Sequence, residues 1–447
     1  MNRAEAEDFI YRSYLKAEKF QAYEAKDRDK RRPDLTRDLI RERAGTPCTV
    51  VTGSKGKGSV AGMISCILQT ACRVGLMTSP HIADFCERFR VNGEKISDEQ
   101  FARLVTRISS QIDRIDASVP KDVCISPIGI QTLVGLDYFN EEQTDFNVFE
   151  CGKGAEYDDV NNTLHRYAVI NSIFPEHTRE LGDTAEEIAE DKAHVITGEQ
   201  TCVYTAGQTE EVLNRIRKRA ERFGTPLKVY GKDFWAENIC YEKTGMRFDV
   251  HVGDRCFAGL SVPLLGEHQA RNCALALALS VDAVKDLSTP GSPEKSPETM
   301  KGLNPEAVRK NLRALTWPGR MEVIGSDPLI LLDACINPAS CRNVKDVLRH
   351  LGIHEATVII GIPDDKDYAG VVREMTGVAK RVILTRSQNP HYVFTDRQAD
   401  CLGDEGIHAA VTRSAGEALE LAGQYGDDIV ILGTTSVIAE VKTRRGV

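Results

Sequence analysis

The feature that most constrains the fold of this chain is a glycine-rich segment near its start, Val50-Val51-Thr52-Gly53-Ser54-Lys55-Gly56-Lys57-Gly58-Ser59. A β-branched run precedes the glycines and apolar residues at helical spacing follow them, which predicts strand, loop and helix in succession. In that arrangement the backbone N–H groups and the helix N-terminus hold an anion such as a phosphate. Gly53, Gly56 and Gly58 permit the backbone angles, and Lys57 supplies a cation. The spacing differs from the usual phosphate loop, but its context predicts a nucleoside triphosphate site.

Length and charge limit the class of protein. A chain of 447 residues exceeds what one hydrophobic core supports, so two or three domains are expected. Hydrophobic residues at 41% and charged residues at 28% are typical of a soluble globular protein. A net charge of −9 argues against a nucleic-acid-binding surface, which needs a dense basic patch. Local cations and metal ions must therefore hold any anionic substrate.

Cysteine usage and the lack of long apolar runs indicate the compartment. The 13 cysteines are scattered and contain no C-x-x-C pair, which fits a reducing cytosol better than a disulfide framework. The N-terminal residues include no apolar export segment, and no run of about 18 apolar residues could cross a membrane. We expect a cytoplasmic protein, a monomer, with no membrane and no nucleic acid among its partners.

The first part of the chain has the pattern of an α/β fold. Residues 4–44 predict two helices. Beyond them, short apolar runs alternate with helical patterns, which predicts a doubly wound, mostly parallel sheet. These runs stand at residues 50–52, 74–77, 146–150 and 167–173. Residues 226–264 alternate between apolar and turn residues and predict a small antiparallel appendage.

A second α/β pattern begins at Trp317-Pro318-Gly319-Arg320. Its apolar runs stand at residues 330–332, 357–360, 381–384 and 429–432. They predict a smaller, Rossmann-like domain over residues 317–447, following a phosphate-loop domain with N-terminal helices over residues 1–316. Between the two patterns, residues 288–299 are polar and proline-rich, which predicts an exposed loop.

The run at 146–150 ends in a carboxylate, Glu150, followed by a glycine-bearing loop. Phosphate-loop enzymes hold a metal ion with a carboxylate at the carboxyl end of such a strand. Taken alone, a glutamate here could equally cap a helix or form a salt bridge.

Several stretches, taken in order along nearly the whole chain, identify a family. They are Thr52–Ser59, Gly75–His81, Glu87–Gly93, Leu181–Thr184, Asp191–Ala193, Gly266–Gln269, Trp317–Glu322 and Asp365–Asp367. Each is weak alone, but their ordered recurrence resembles the folylpolyglutamate synthase/dihydrofolate synthase branch of the Mur ligase superfamily. The resemblance implies an ATP-dependent, ADP-forming acid–amino-acid ligase that uses Mg²⁺. ATP would phosphorylate an acceptor carboxylate, such as that of a folate, and the amine of an amino acid, glutamate, would attack the acyl phosphate.

The resemblance also implies roles for residues that would hold the phosphates and the metal. The β- and γ-phosphates would be held by Lys57 and by the amides of the glycine-rich segment, namely Gly53, Gly56, Gly58 and Ser59. Ser79, Glu150 and His177 occupy the magnesium-binding positions of the family. Lys192 matches a lysine that is carbamylated in the family, so that it becomes a carboxylate able to hold a second metal ion. Lys57, His177 and Lys192 are thus the implied catalytic residues.

Three further positions match nucleotide contacts of the family: Arg320 and Asp333 in the second domain, and Asn272, which reads the adenine. Without the family order, His177 would be an ordinary surface histidine and Lys192 a member of a charged helix surface.

The chain departs from the family mostly on the acceptor side. Gly129 stands where the family has a glutamate, Ile336 replaces a histidine, and His391 stands where an arginine is common. Lys55 replaces an asparagine, and Glu176 replaces an aspartate. Three hypotheses therefore remain: addition of glutamate to a folate, the same chemistry on another carboxylate, or a non-catalytic nucleotide-binding paralogue.

Overall fold

The computed structural model describes residues 1–20, 31–288, 302–389 and 392–446. The predicted loop at 288–299, apart from Ser288 itself, and His391 lie outside the described residues.

The first sheet carries the phosphate loop. Its eight strands lie in the order β4-β3-β2-β5-β1-β6-β7-β8. In chain order they are β1 (Cys48–Thr52), β2 (Val74–Met77), β3 (Phe89–Val91), β4 (Glu94–Lys95), β5 (Phe146–Glu150), β6 (Tyr167–Ile170), β7 (Cys202–Thr205) and β8 (Leu227–Val229). Neighbouring strands are parallel along the series β2-β5-β1-β6-β7-β8, while β3 and β4 form an antiparallel edge next to β2. The predicted mostly parallel sheet is confirmed.

Helices cover both faces of this sheet, which is why all five residues of the central strand β1 are buried. The helices are α1 (Arg3–Glu18), α2 (Asp34–Arg43), α3 (Lys57–Leu68), α4 (Asp98–Ser118), α5 (Pro127–Glu141), α6 (Thr178–Leu181), α7 (Ala185–Lys192) and α8 (Glu210–Phe223). Short 3₁₀ helices stand at Phe85–Arg88, Asp159–Asn162 and Ala193–Val195. The two helices predicted before the phosphate loop are α1 and α2.

The predicted antiparallel appendage is a three-stranded sheet. It consists of β9 (Phe234–Glu242), β10 (Gly245–Val252) and β11 (Arg255–Val262), with β10 in the middle. Its apolar face packs on the long helix α9 (Glu267–Leu287), which also packs against α3. Helix α10 (Pro305–Arg313) follows and contacts both β11 and α3. Helix α3, which follows the phosphate loop, therefore packs against α9 and α10 as well as against the first sheet.

The third sheet has the Rossmann-like pattern that the sequence predicts. Its strands are β12 (Glu322–Ser326), β13 (Leu329–Asp333), β14 (Ala356–Gly361), β15 (Ala379–Leu384), β16 (Ala409–Val411) and β17 (Ile429–Gly433), in the order β12-β13-β17-β14-β15-β16. Only β12 is antiparallel to its neighbour. The helices are α11 (Pro338–His350), α12 (Tyr368–Met375), α13 (Arg397–Asp404), α14 (Ala415–Tyr425) and α15 (Thr435–Arg445). The domain boundary between residues 316 and 317 stays a prediction.

The topology of the first sheet decides where a site can form. Strands β2, β5, β1 and β6 are adjacent and parallel, so their carboxyl ends meet at one edge. The loops that leave these strands therefore start side by side. Among the helices of the described residues, none combines the length and the apolar character needed to span a bilayer.

Candidate active site

The glycine-rich loop leaves β1 and turns directly into α3. Gly56 caps this helix with a φ of +73°, in the left-handed region that favours glycine. A Cβ on Gly56 would also lie 2.6 Å from the Asn171 side-chain nitrogen. That nitrogen donates to the Lys55 carbonyl over 2.9 Å, and Ser54 donates through its hydroxyl to the Phe174 carbonyl over 2.9 Å. The segment after β6 therefore holds the loop in shape.

Two of the predicted site lysines meet on one oxygen atom of this loop. Lys57 Nζ donates to the Gly53 carbonyl over 2.9 Å, and Lys192 Nζ donates to the same carbonyl over 3.1 Å. Lys192 is fully buried, and its burial, followed by the nearby Lys57 ammonium, lowers its pKa to about 8. Two cations beside a helix N-terminus create a strongly positive locus that suits a phosphate.

Lys192 has two further oxygen partners. Its Nζ donates to the Lys153 carbonyl over 2.6 Å and forms an ion pair with Glu176 Oε1 at 3.2 Å. Glu176 Oε1 makes this ion pair but no hydrogen bond within the described structure. The Lys192 side chain therefore donates to two carbonyl oxygens and forms an ion pair with one carboxylate, and these three partners come from three different loops.

Glu150 and Ser79 are brought together as the sequence predicts. The buried carboxylate at the end of β5 accepts a 3.0 Å hydrogen bond from the Ser79 backbone amide. Burial raises the pKa of Glu150, and the positive charges of Lys57 and Arg320 oppose this rise. A Cβ on Gly58 would lie 3.3 Å from Glu150 Oε2, so the carboxylate reaches the first turn of α3. The predicted metal carboxylate thus lies beside the predicted phosphate site.

His177 is placed less centrally than the other predicted metal ligands. It stands just before α6 with a φ of +46° and is exposed. No hydrogen bond joins its ring to Ser79, Glu150 or Lys192 within the described residues. Its neighbour Glu176, rather than His177 itself, contacts Lys192.

The linker before the third sheet closes the site from the other side. The Trp317 ring lies against α3, where a Cβ on Gly62 would be 2.7 Å from the ring and a Cβ on Gly58 would be 3.3 Å from it. One cleft is bordered by Gly58, Ser79, Glu150, Trp317 and Arg320. Arg320 therefore borders the same cleft as the glycine-rich loop and the Glu150 carboxylate.

Asn272 and Asp333 lie on the side of the loop that faces α9 and β13. Asn272 accepts a 3.0 Å hydrogen bond from Asn171 and donates over 3.1 Å to Gln269. Asp333 is buried at the end of β13 and accepts from the Met321 amide over 2.9 Å. Burial raises its pKa, while the Lys55 and Arg320 charges oppose this rise. Lys55, the residue that departs from the family asparagine, therefore faces the same carboxylate as Arg320.

Sequence reasoning assigned no site role to Asn171, Lys153, Glu176 or Trp317, although Glu176 and Trp317 stand in motifs that it named. Asn171 follows β6 directly, and the rule that carboxyl ends of parallel strands meet at one edge could have identified it. Lys153 acts through its carbonyl, which no side-chain pattern indicates. Trp317 was recognised as a motif residue, but its contact with α3 depends on the path of the linker.

Comparisons with known proteins agree with this geometry. The model of the Mur ligase middle domain matches residues 51–280, and that of the Mur ligase glutamate ligase domain matches residues 319–435. A folylpolyglutamate synthase of Lacticaseibacillus casei is 30% identical over 335 residues, which are 75% of this chain and 75% of that protein. The chain belongs to the folylpolyglutamate synthase family of Mur ligases. The resemblance stated from the motifs is confirmed.

Solved structures of this family share the whole fold. The apo form of the L. casei enzyme superposes with a TM-score of 0.82 at 26% identity, covering 100% of both chains. A folylpolyglutamate synthase complex with AMPPCP and folate gives 0.81 at 26% identity, again over 100% of both chains. A probable bifunctional folylpolyglutamate synthase/dihydropteroate synthase of Halobacterium salinarum is 29% identical over 408 residues, 88% of this chain and 46% of that protein. The chain thus spans about half the length of that relative.

Proposed function

We propose that this protein is an ATP-dependent, ADP-forming ligase that joins glutamate to a carboxylate of a folate. The observation that carries the proposal is a cleft bordered by Gly58 of the glycine-rich loop, Glu150 and Arg320. The Lys57 charge also acts on the Glu150 carboxylate. The names of the relatives support the folate and glutamate substrates. The complexes of family members with AMPPCP or ADP support ATP as the phosphoryl donor.

The proposed reaction has two steps. An oxygen of the acceptor carboxylate attacks the γ-phosphorus of ATP, and the bond from that phosphorus to the β-phosphate oxygen breaks to release ADP. The glutamate amine then attacks the acyl carbon, loses a proton, and displaces inorganic phosphate. Carboxylates are poor electrophiles, so the phosphoryl group supplies the leaving group. The protein contributes positioning and stabilisation of negative charge.

In this proposal, side chains and backbone amides around the glycine-rich loop hold the nucleotide. Lys57 leaves the Gly53 carbonyl to contact the phosphates, which the amides of Gly56, Gly58 and Ser59 also hold. Arg320 and Asp333 contact the nucleotide from the side of the third sheet, and Asn272 reads the adenine.

The residues around Glu150 suit a magnesium ion. Glu150 is buried with one backbone donor, and the Ser79 hydroxyl is a second oxygen ligand of the kind that Mg²⁺ prefers. Mg²⁺, when bound, would offset the negative charge of the phosphate oxygens. His177 and Lys192 complete the proposed ligand set. The Lys192 ammonium donates to two carbonyl oxygens and pairs with Glu176. It cannot bind a cation in that form, so its role as a ligand requires carbamylation.

The acceptor is the less constrained half of the proposal. A different small carboxylate is the second candidate, because the space where the family has a glutamate side chain is filled here. A Cβ on Gly129 would lie 2.4 Å from Asp159 Oδ1, so a glutamate side chain at position 129 does not fit beside Asp159 in this structure. Lost polar partners usually cost an enzyme much of its discrimination.

We also propose that the protein works as a cytoplasmic monomer. All thirteen cysteines lie among the described residues and none forms a disulfide, which supports a reducing compartment. Light scattering coupled to size-exclusion chromatography tests the monomer.

One assay separates the hypotheses. Purified protein with MgATP and glutamate is titrated with a reduced folate and, in parallel, with a panel of other carboxylic acids, while ADP release is followed. Saturable, glutamate-dependent ADP release with the folate supports the proposal. Turnover only with another acid leaves the ligase chemistry and excludes the folate. Binding of the ATP analogue AMPPCP without acceptor-dependent ADP release from any acid favours the non-catalytic paralogue.

A further inference from the structure

His81 lines the cleft together with Ser79 and Glu150, although the assigned site residues do not include it. Its ring packs on Phe85 with a centroid distance of 5.4 Å. His81 follows Ser79 by two residues in the same loop, and both line the cleft that the proposed function assigns to the reaction.

Arg88 fixes which nitrogen of the His81 ring carries the proton. The Arg88 Nε donates to His81 Nδ1 over 3.0 Å. A guanidinium can only donate, so Nδ1 must accept and a neutral ring carries its hydrogen on Nε2. Arg88 is buried, donates through Nη1 to Gln131 over 2.7 Å, and lies over the Phe85 ring at 4.7 Å. The orientation of the His81 ring is therefore set by a rigid neighbour.

The other ring nitrogen is left for a ligand. Across the described ranges, His81 Nε2 makes no hydrogen bond to the protein, while the ring borders the cleft. Glu150, which the proposed function assigns to a metal ion, lines the same cleft as His81. A neutral N–H donor beside that carboxylate suits an oxygen on which negative charge develops and then disappears.

We propose that His81 Nε2–H donates a hydrogen bond to the acceptor carboxylate, at the oxygen that does not attack the phosphorus, with Arg88 as the residue that positions the ring. This inference rests on the proposed function. In the first step that oxygen becomes the carbonyl oxygen of the acyl phosphate. In the second step it takes the negative charge as the glutamate amine adds, and it returns to a carbonyl when phosphate leaves. His81 exchanges no proton in either step.

Glutamine and asparagine at position 81 provide a matched pair of variants. The His81→Gln side-chain nitrogen reaches the place of Nε2, whereas the His81→Asn nitrogen reaches only the place of Nδ1. We expect kcat/KM for the acceptor to fall about 10–100-fold in His81→Asn, the usual effect of losing a hydrogen bond to a charged group. His81→Gln should stay within about threefold of the parent, as expected when the donor is retained. The Kd for AMPPCP, measured calorimetrically, should be unchanged in both variants, which also shows that both fold.

Arg88→Lys tests the positioning role. It should lower kcat/KM for the acceptor in the parent but cause no further loss in the His81→Asn background, because the ring it orients is gone. Equal activity of the Asn and Gln variants, additive losses with Arg88→Lys, or a weakened Kd for AMPPCP would each overturn the inference while the parent remains an active ligase. A parent that releases no ADP with any acceptor would refute the proposed function, and this inference with it.

Discussion

Gly129→Ala tests why this chain has lost the family glutamate at position 129. Gly129 lies inside helix α5 without a positive φ, where alanine normally stabilises a helix by up to about 1 kcal/mol. The structure reverses this expectation. The new Cβ would lie 2.4 Å from Asp159 Oδ1 and 3.1 Å from Thr36 Cγ2. Asp159 cannot easily move away, because its two oxygens accept from the hydroxyls of Thr36 and Ser126.

Two opposing energies decide whether Gly129→Ala raises or lowers the free energy of unfolding. Inserting a methyl group into a packed site usually costs about 1–3 kcal/mol, which exceeds the helix-propensity gain of at most about 1 kcal/mol. We therefore expect Gly129→Ala to lower the free energy of unfolding by about 1–2 kcal/mol. Urea denaturation followed by circular dichroism at constant pH measures the change, and an unchanged slope with urea concentration confirms that the same structure unfolds.

A double-mutant cycle assigns the loss to Asp159. In an Asp159→Ala background the carboxylate is gone, so Gly129→Ala should no longer destabilise and the helix-propensity gain should reappear. Gly129→Ala that is as stable as the parent or more stable would refute the reasoning. An unchanged loss in the Asp159→Ala background would place the cause elsewhere.

Three other substitutions have defined outcomes. Lys57→Ala should lower acceptor-dependent ADP release by about 10²–10³, because a phosphate contact aimed at developing charge is lost; turnover within a few-fold of the parent would remove Lys57 from the site. Burial raises the pKa of Asp159 to about 6, so the folded state binds the proton more tightly and stability falls as pH rises from about 4 to 6. Asp159→Asn should abolish this dependence and, by urea denaturation at pH 7, gain up to about 3 kcal/mol; a parallel pH profile in the variant would contradict it. The parent's activity should depend on bicarbonate, and Lys192→Ala should be partly rescued by short carboxylic acids; an unmodified amine beside bound metal ions in an active crystal would exclude carbamylation.

The parts of the site that follow from local sequence were predictable. The strand, glycine loop and helix at Gly53–Ser59 are consecutive, and glycines with a lysine restrict that stretch to few conformations. Glu150 and Ser79 follow parallel strands, so the topology alone places them at one edge. The apolar runs likewise predicted four strands of the third sheet, because buried parallel strands are nearly continuously apolar.

Long-range side-chain contacts could not be predicted in this way. The meeting of Lys57 and Lys192 on the Gly53 carbonyl depends on how α7 docks beside the loop, which no spacing in the sequence encodes. The run predicted as a strand to residue 173 ends as a strand at Ile170. Asn171 lies directly after the strand, and it does not belong to the apolar run. Its side chain donates to the Lys55 carbonyl and to Asn272.

The Gly53 carbonyl holds two lysine side chains close together at the proposed phosphate site of an acidic chain. With a net charge of −9, long-range attraction cannot gather a triphosphate, so the cations must be concentrated locally. Two ammonium groups close together repel each other, and the lowered pKa of Lys192 reflects this repulsion after burial. Sharing one carbonyl oxygen offsets part of this repulsion. A bound phosphate would replace the neutral Gly53 carbonyl, as the acceptor of the Lys57 hydrogen bond, with a negatively charged oxygen. The same exchange removes one cation from beside Lys192, so anion binding at the loop should favour the protonated form of Lys192.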